Sequence, residues 1–411
     1  MSETSERPAR LPRQPALEVL AIADFRYLWL SGTGGAFAFS LRFFATSWLV
    51  LELTNSPFWV GLVGGVTTVP MIALGLFGGA LAERWDRRRV LIAIRAMLAA
   101  LTITTGLLVF SEAVRPWHLL VLSLGYGVLF AVFEPARWTF VVDLVGRQRI
   151  FAANALMATA HNVSEMAGPL MAGYVVAAYG VDSLFFGAGG LYVVTGLLLL
   201  AVRSRRRTSS QVKDSILKEI AAAIAFVRRT PPLTSMFLMV MTSFFGAAII
   251  PMIPVYARDV LDAGPTGFGI LGSSMGAGFL MGAILASLKG DVGRKALGIV
   301  LMTAVWDTGA LVFAFSDSFL LSAITVFVMG VSGSIWFTLM TTLLQSSVPD
   351  EMRGRVMGMF TVANEFFGIG VILSGALASL VTNWFPMVVG VMGSSPLVLL
   401  IYWRSPRLRR M

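Results

Sequence analysis

The chain has 411 residues, of which 56% are hydrophobic and only 13% are charged, and its mean hydropathy is +0.79. This composition excludes an ordinary soluble protein and indicates one that is embedded in a membrane. The net charge of +10 would suit either nucleic acid or anionic lipid, so the positions of the basic residues have to decide between them.

Twelve apolar stretches are long enough to cross a bilayer, since one helix across about 30 Å of hydrocarbon needs roughly 20 apolar residues. They lack the alternation that a transmembrane β-barrel requires. The sequence therefore predicts an all-α polytopic membrane protein with both termini on one side. The predicted helices lie near 27–51, 57–82, 90–111, 117–140, 151–178, 183–202, 233–257, 266–288, 296–316, 318–345, 355–381 and 386–403.

Basic residues concentrate on one side of the predicted membrane protein. Both terminal segments, the loop after the second span and the middle segment 203–229 carry most of them, whereas the loops of the other side hold only Arg115 and Arg258. The positive-inside rule therefore predicts cytoplasmic termini. Because topology and attraction to anionic lipid account for the charge, no nucleic-acid partner is expected.

The order of the segments predicts two six-helix halves. The N-terminal segment lacks the apolar core of a signal peptide, so the first span is expected to act as an uncleaved insertion signal. Ile216 and Ile220 have the spacing of an amphipathic helix on the membrane surface. The predicted regions are a cytoplasmic tail 1–26, an N-terminal half 27–202, a cytoplasmic linker 203–232, a C-terminal half 233–403 and a cytoplasmic tail 404–411.

Several kinds of chemistry have no residues to carry them. The chain has no cysteine, and its two histidines, His118 and His161, are not in a metal-ligand spacing. A phosphate-binding glycine loop and a nucleophile–base arrangement are also missing from the sequence. We therefore expect that the protein binds no cofactor or metal, does not pump at the expense of ATP and is not an enzyme.

Two charged loop motifs occur once in each half, which is the repeat pattern of secondary transporters. The stretch WDRRRVL at 85–91 is echoed by VGRKALG at 292–298, and GRQRIF at 146–151 by MRGRVM at 352–357, each roughly 206 residues later. Internal repeats of this kind place a binding site between the halves.

The loop between the second and third spans resembles the most general signature of the major facilitator superfamily, Gly-x-Leu-Ala-Asp-Arg-x-Gly-Arg-Arg/Lys. Here Glu83 stands for the usual Asp and Asp86 for the second Gly, and the second-half copy has Gly290 in place of the acid. The resemblance covers nearly the whole chain and implies twelve helices in two pseudo-symmetric halves that transport by alternating access. Matching residues are Gly79, Leu81, Ala82, Glu83, Arg84, Arg87 and Arg88.

A second motif, GPLMAG with Gly168, Pro169 and Gly173 in the fifth span, is similar to the Gly-Pro signature of exporters in that superfamily. The run FEPARWTFVVDLV from Phe133, with Asn154–Leu156 beyond it, resembles the branch that contains siderophore (enterobactin) and macrolide exporters. The middle of the fourth span, LSLGYGVLFAVF, lacks the arginine that many drug–proton antiporters of the superfamily carry there. The Gly-Pro pair either seals the path between the halves or is ordinary close packing and a kink.

The charged loop is predicted to be a conformational latch. Glu83 ends the second span and Arg87 begins the third, so a tight turn brings them together, and Asp143 can join them. An acid there can also cap the eleventh helix near Arg353 when the inner ends of the halves meet, which favours an outward-facing state. The alternative is that the arginines only enforce orientation. Latch residues are Gly79, Glu83, Arg84, Arg87, Arg88 and Asp143.

Ionisable side chains inside spans are costly and therefore indicate function. His161 and Glu165 share one helix face at i, i+4, and Glu365 lies at similar depth in the eleventh span, which the repeat pairs with the fifth. They are predicted to bind a cationic or hydrogen-bonding substrate or to exchange a proton. The candidates are Arg42, Glu134, Arg137, His161, Glu165, Asp307 and Glu365.

Structural roles remain open for several of these residues. His161 can hydrogen-bond a neighbouring span, and Glu134 with Arg137 favours a structural ion pair over substrate contact. Arg42 can snorkel towards the outer surface. Asp307 lies in the ninth span, which the resemblance places at the periphery.

Together these features predict a secondary active transporter in the bacterial plasma (inner) membrane that exports an amphipathic small molecule in exchange for protons. The cargo is a drug, a macrolide or a siderophore-like compound. A proton-coupled importer is the rival of the same class, and a lipid scramblase or channel is the rival of another class. The expected partners are the small-molecule substrate, protons and membrane lipids, and the protein is expected to be a monomer.

Overall fold

The computed structural model describes residues 15–74, 86–203, 216–289 and 293–411. Within those ranges every regular element is a helix, and twelve of the helical stretches are long. They are α1 (Ala23–Thr54), α2 (Pro57–Leu74), α3 (Arg87–Phe110), α4 (Pro116–Val145), α5 (Ile150–Tyr179), α6 (Val181–Leu200), α7 (Pro231–Val260), α8 (Gly264–Lys289), α9 (Lys295–Ala314), α10 (Phe319–Ser346), α11 (Asp350–Leu380) and α12 (Phe385–Arg404).

Eleven of the long helices in the described ranges have the length and hydropathy of a membrane span. The exception is α5, whose 30 residues include His161, Glu165 and two asparagines. The prediction of an all-α polytopic membrane protein is confirmed, although by hydropathy alone the count of spans is eleven rather than twelve.

Some helices begin earlier than the apolar pattern predicts. The first starts at Ala23 rather than near 27, and α11 starts at Asp350 rather than near 355. The polar first turns of these helices carry no hydrophobic signal, because they project beyond the apolar stretch. The expected end of the second span, between 75 and 82, lies outside the described residues.

Prolines explain the two irregular helices. In α2 a turn at Val66 and Thr67 precedes Pro70, whose ring clashes with the carbonyl four residues earlier. In α7, Pro251 and Pro254 remove backbone donors, and the α-helix gives way to 3-10 and π turns before Val260.

The linker helix and the C-terminal segment both pack onto the bundle. The linker forms a helix, Ile216–Arg229, that buries Ala223 and Val227 one turn apart. The last residues form a short helix with Leu408 fully buried, and the Lys295 N–H donates a 3.0 Å hydrogen bond to the Met411 carbonyl. The segment predicted as the C-terminal tail, 404–411, therefore packs against the bundle.

We call the end of the bundle where α1 begins the basic end, because Arg87, Arg149 and Arg404 lie there, and the other end the opposite end. One apolar core at the opposite end contains residues of both halves, from α1 and α5 to α8 and α10. The two cores towards the basic end are separate, one built from residues 19–202 and one from residues 227–411. The halves therefore meet at the opposite end and part towards the basic end.

Two glycine pairs allow this close approach. Across α2 and α11, a Cβ on Gly61 would lie 2.9 Å from the Cα atom of Gly375. Across α5 and α8, a Cβ on Gly173 would lie 3.0 Å from the Cα atom of Gly269. No side chain fits at either crossing without moving the helices apart, and the two crossings occupy equivalent places in the two-fold repeat.

Aromatic and polar contacts complete the closure at the opposite end. The rings of Phe44 in α1 and Phe268 in α8 stack with centroids 3.8 Å apart, and Trp48 lies 6.0 Å from Phe268. Arg258 donates from Nη1 to the Leu51 carbonyl at 3.0 Å and to Asn55 Oδ1 at 2.9 Å. The aromatic contacts join α1 to α8, and the hydrogen bonds of Arg258 join the end of α7 to the end of α1.

We predict that Gly61→Val opens the opposite end, since overpacking a tight crossing costs on the order of 1–3 kcal/mol, which is about a tenfold shift in population. Because the chain has no cysteine, spin labels at Glu112→Cys and Asp317→Cys, both exposed at that end, report the distance between the halves. The longer distance should gain population. Gly187→Ala, whose Cβ meets open space, is the control. An unchanged distance distribution in Gly61→Val would contradict the role of the crossing.

Candidate functional site

A cavity of about 390 Å³ lies between the halves. Most of its wall comes from α1, α2 and α4 of the N-terminal half, with single contributions from α3 and α7, two from α5 and a stretch of α11. Aromatic rings and glycines form much of the surface. Its ionisable wall residues are Arg42, Arg95, Glu134, Arg137, His161 and Glu365.

Arg42 points into the protein rather than towards a membrane surface. It is only 2% exposed, and its guanidinium carbon lies 3.8 Å from the ring centroid of Tyr126 and 5.3 Å from that of Phe39. Tyr126 is held in turn by a 2.7 Å hydrogen bond with Thr102. The snorkelling alternative is therefore not the arrangement found.

Arg95 is a cavity residue that the sequence analysis missed. It is 3% exposed, it lies 4.6 Å from the Phe133 centroid, and its Nη2 donates to the Ser31 carbonyl at 3.2 Å. Gly35 makes room for it, because a Cβ there would overlap the guanidinium. The sequence does carry a signal for this residue, because Arg95 lies two turns inside the apolar helix α3, where an ionisable side chain indicates function.

Glu134 and Arg137 form an ion pair at 2.6 Å, one turn apart on α4. Their side chains are 37% and 19% exposed, and Arg137 also lies over the Trp138 ring at 4.9 Å. Because both residues of this ion pair line the cavity, the structural role and substrate contact are both compatible with their position.

His161 and Glu365 line the same cavity from opposite halves. Glu165, one turn beyond His161, is not part of that wall. Its backbone packs against α8, where a Cβ on Gly276 would lie 2.6 Å from the Glu165 carbonyl carbon. The three residues thus lie at related depths, but only His161 and Glu365 face the space between the halves.

The described part of the charged loop is held within the N-terminal half. Arg87 donates to Asp143 in a salt bridge, and Arg88 donates to the carbonyl of Leu199 at 3.0 Å. Asp86 caps α3 by accepting from two backbone N–H groups. Gly79, Glu83 and Arg84 lie outside the described residues, so the latch stays a prediction.

The Gly-Pro motif lies where α5 meets its neighbours. Gly168 packs on α1, since a Cβ there would lie 2.7 Å from the Cβ of Ser40. Pro169 and Gly173 face α8, and the Pro169 carbonyl would lie 2.6 Å from a Cβ on Gly269. Two of the three motif residues are therefore part of the contact between the halves.

Asp307 lies outside the cavity, at the contact of α9 with α12. It is 3% exposed and accepts hydrogen bonds from the hydroxyl groups of Ser394 and Ser395. This arrangement satisfies the carboxylate locally and supports a structural role.

A largely apolar cavity with a few ionisable groups, placed between two pseudo-symmetric bundles of membrane helices and closed at one end, is the arrangement of a transporter. A model of the transmembrane secretion effector family matches residues 15–404. The chain belongs to that family, within the major facilitator superfamily, which confirms the resemblance inferred from its motifs.

Relatives agree with this assignment, and a solved structure shares the fold. The chain is 25% identical over 333 residues to the enterobactin exporter EntS of Citrobacter koseri, covering 80% of this chain and 79% of that protein. It is 26% identical over 341 residues to the uncharacterized MFS-type transporter YfiS of Bacillus subtilis, covering 80% of each. A crystal structure of the peptide transporter POT in complex with alafosfalin superimposes with a TM-score of 0.75 at 12% identity, covering 96% of this chain and 99% of that one.

We predict that Glu134→Gln destabilises the detergent-solubilised protein more than Arg137→Gln. Removing the carboxylate leaves Arg137 uncompensated near Arg95, whereas removing the arginine leaves one partly exposed acid. The double variant should melt above Glu134→Gln alone, with a coupling energy of about 1 kcal/mol in a double-mutant cycle. Equal melting temperatures for the two single variants would argue against electrostatic compensation.

Proposed function

We propose that this protein exports an amphipathic small molecule across the bacterial inner membrane by alternating access, in exchange for protons. The observation that carries the proposal is the cavity between the halves, lined by ionisable groups and closed at the opposite end by packing between α2 and α11 and between α5 and α8. The similarity to an enterobactin exporter supports the outward direction.

Orientation follows from the distribution of charge. If the positive-inside rule holds, the basic end and both termini are cytoplasmic. The described conformation is then inward-facing, which is the state in which an exporter accepts its cargo. Opening of the opposite end would separate the glycine crossings and release Arg258 from Leu51 and Asn55.

The latch fits the other half of the cycle. When the basic ends meet, the loop with Glu83 can reach the start of α11, while the Arg87–Asp143 pair already holds the start of α3 against α4. The pair holds only the described start of α3, and the proposed contact of Glu83 between the halves would form only in the outward-facing state.

Proton exchange is assigned to carboxyl groups near the centre of the bundle. Glu365 lines the cavity and forms no ion pair with any described residue, so it is available to alternate between charged and neutral forms. His161 faces the same space, and Glu165 lies one turn away beside α8. Movement of α8 and α11 during opening would change the surroundings of both carboxyl groups.

The test is uptake of a panel of fluorescent amphiphiles into energised inverted membrane vesicles, with and without a protonophore. We expect accumulation that the protonophore abolishes, and a loss of about tenfold or more in Glu365→Gln or Glu165→Gln. Glu112→Gln, on an exposed loop at the opposite end, is the matched control.

Other outcomes would separate the rivals. Accumulation that ignores both the protonophore and the variants would overturn proton antiport through these acids. Proton-driven movement in the opposite direction would identify an importer. Equilibration without any gradient, for solutes or for labelled lipids, would identify a channel or a scramblase.

A further inference from the structure

We propose that Arg42 and Arg95 form an anion-binding subsite in the cavity, so that the transported molecule carries a carboxylate-like anionic group next to an aromatic body. The assignment of this ligand as cargo rests on the proposed export function, whereas the binding site itself rests on the geometry of the two arginines.

Burial is the first argument. Arg42 and Arg95 are 2% and 3% exposed, and neither forms a salt bridge with an acid among the described residues. Among the described acids of the wall, Glu134 is engaged by Arg137, and Glu365 forms no ion pair. A buried guanidinium without an anion is costly in a membrane protein, and a bound anion supplies the missing partner.

Unused hydrogen-bond donors are the second argument. A guanidinium has five N–H donors. Among described atoms the Nε atoms of both arginines are buried without an acceptor, and Arg95 has a single hydrogen bond, to the Ser31 carbonyl. Donors in a planar fork match the two oxygens of a carboxylate.

The third argument is that aromatic rings hold the two guanidinium groups in place. Arg42 lies against Tyr126 and Phe39, and Arg95 against Phe133, with Tyr192 at 5.6 Å. Stacking by cation–π attraction fixes a guanidinium without neutralising its charge, so the charge remains available to a ligand.

The remaining wall favours an aromatic body beside the anion. Phe43, Phe130 and Phe367 also line the cavity, and its volume of about 390 Å³ is enough for a ligand of one to a few rings. Three arginines against two glutamates give the wall a positive excess, which disfavours a cation at this end of the cavity.

The experiment compares three probes with one aromatic body: 2-naphthoate, neutral 2-naphthamide and cationic 2-naphthylmethylammonium. Binding to the intact, detergent-solubilised protein is measured by titration calorimetry. Naphthoate should bind about tenfold or more tightly than the other two. Arg42→Gln and Arg95→Gln should each weaken naphthoate binding about tenfold and naphthamide binding less than twofold.

Arg42→Lys separates charge from shape, because it should retain part of the preference for the anion. Arg404→Gln, exposed at the end of α12, is the matched control and should bind as the intact chain does. If an arginine variant does not fold, the comparison of the three probes on the intact chain still decides. Binding of naphthoate no tighter than that of naphthamide overturns the subsite.

Uptake of the same probes into energised inverted vesicles distinguishes this inference from the proposed function. Protonophore-sensitive uptake of the neutral or cationic probe, without preference for naphthoate in binding, would leave export standing and overturn the anion subsite. Tight binding of naphthoate that depends on the arginines, without uptake of any probe, would support the subsite and overturn export as its purpose.

Discussion

The close crossing of helices from different halves is the constraint on which the arrangement depends. Without a hydrophobic force between helices in lipid, the halves associate through van der Waals contact, and only glycine lets the backbones of α2 and α11, or of α5 and α8, come this near. The same crossings seal the opposite end and leave the central cavity between the cores of the two halves. The seal and the site are thus two results of one packing.

Charge in the cavity follows a different principle. Each guanidinium is surrounded by aromatic rings rather than by carboxylates, except Arg137, which pairs with Glu134. Such packing offsets part of the free-energy cost of burying the charge, and it leaves the positive potential of the guanidinium directed at the cavity. A site of this kind can discriminate by charge before it discriminates by shape.

The fold could be predicted because hydropathy identifies the spans and the charged loop motifs identify the repeats. The all-α fold and the superfamily are both confirmed. Glu365 and His161 could be placed by depth alone, since a rise of about 1.5 Å per residue fixes depth along a helix. Depth does not give the direction in which a side chain points. Glu165 was therefore expected in the same site as His161 although it lies outside the cavity wall, and Arg42 was left open between the cavity and the outer surface. Arg95 was missed because its partners, Ser31 and Phe133, come from two other helices.

The two halves do not contribute equally to the cavity. The N-terminal half supplies all three arginines and four of the five phenylalanines of the wall, whereas the C-terminal half supplies Ile250 and one face of α11. A ligand held by Arg42 and Arg95 would therefore travel with the N-terminal half as the halves rock, while the C-terminal half slides past it. The grip on the anionic group would then belong to one half throughout the transport cycle, while the other half forms the wall that moves past it.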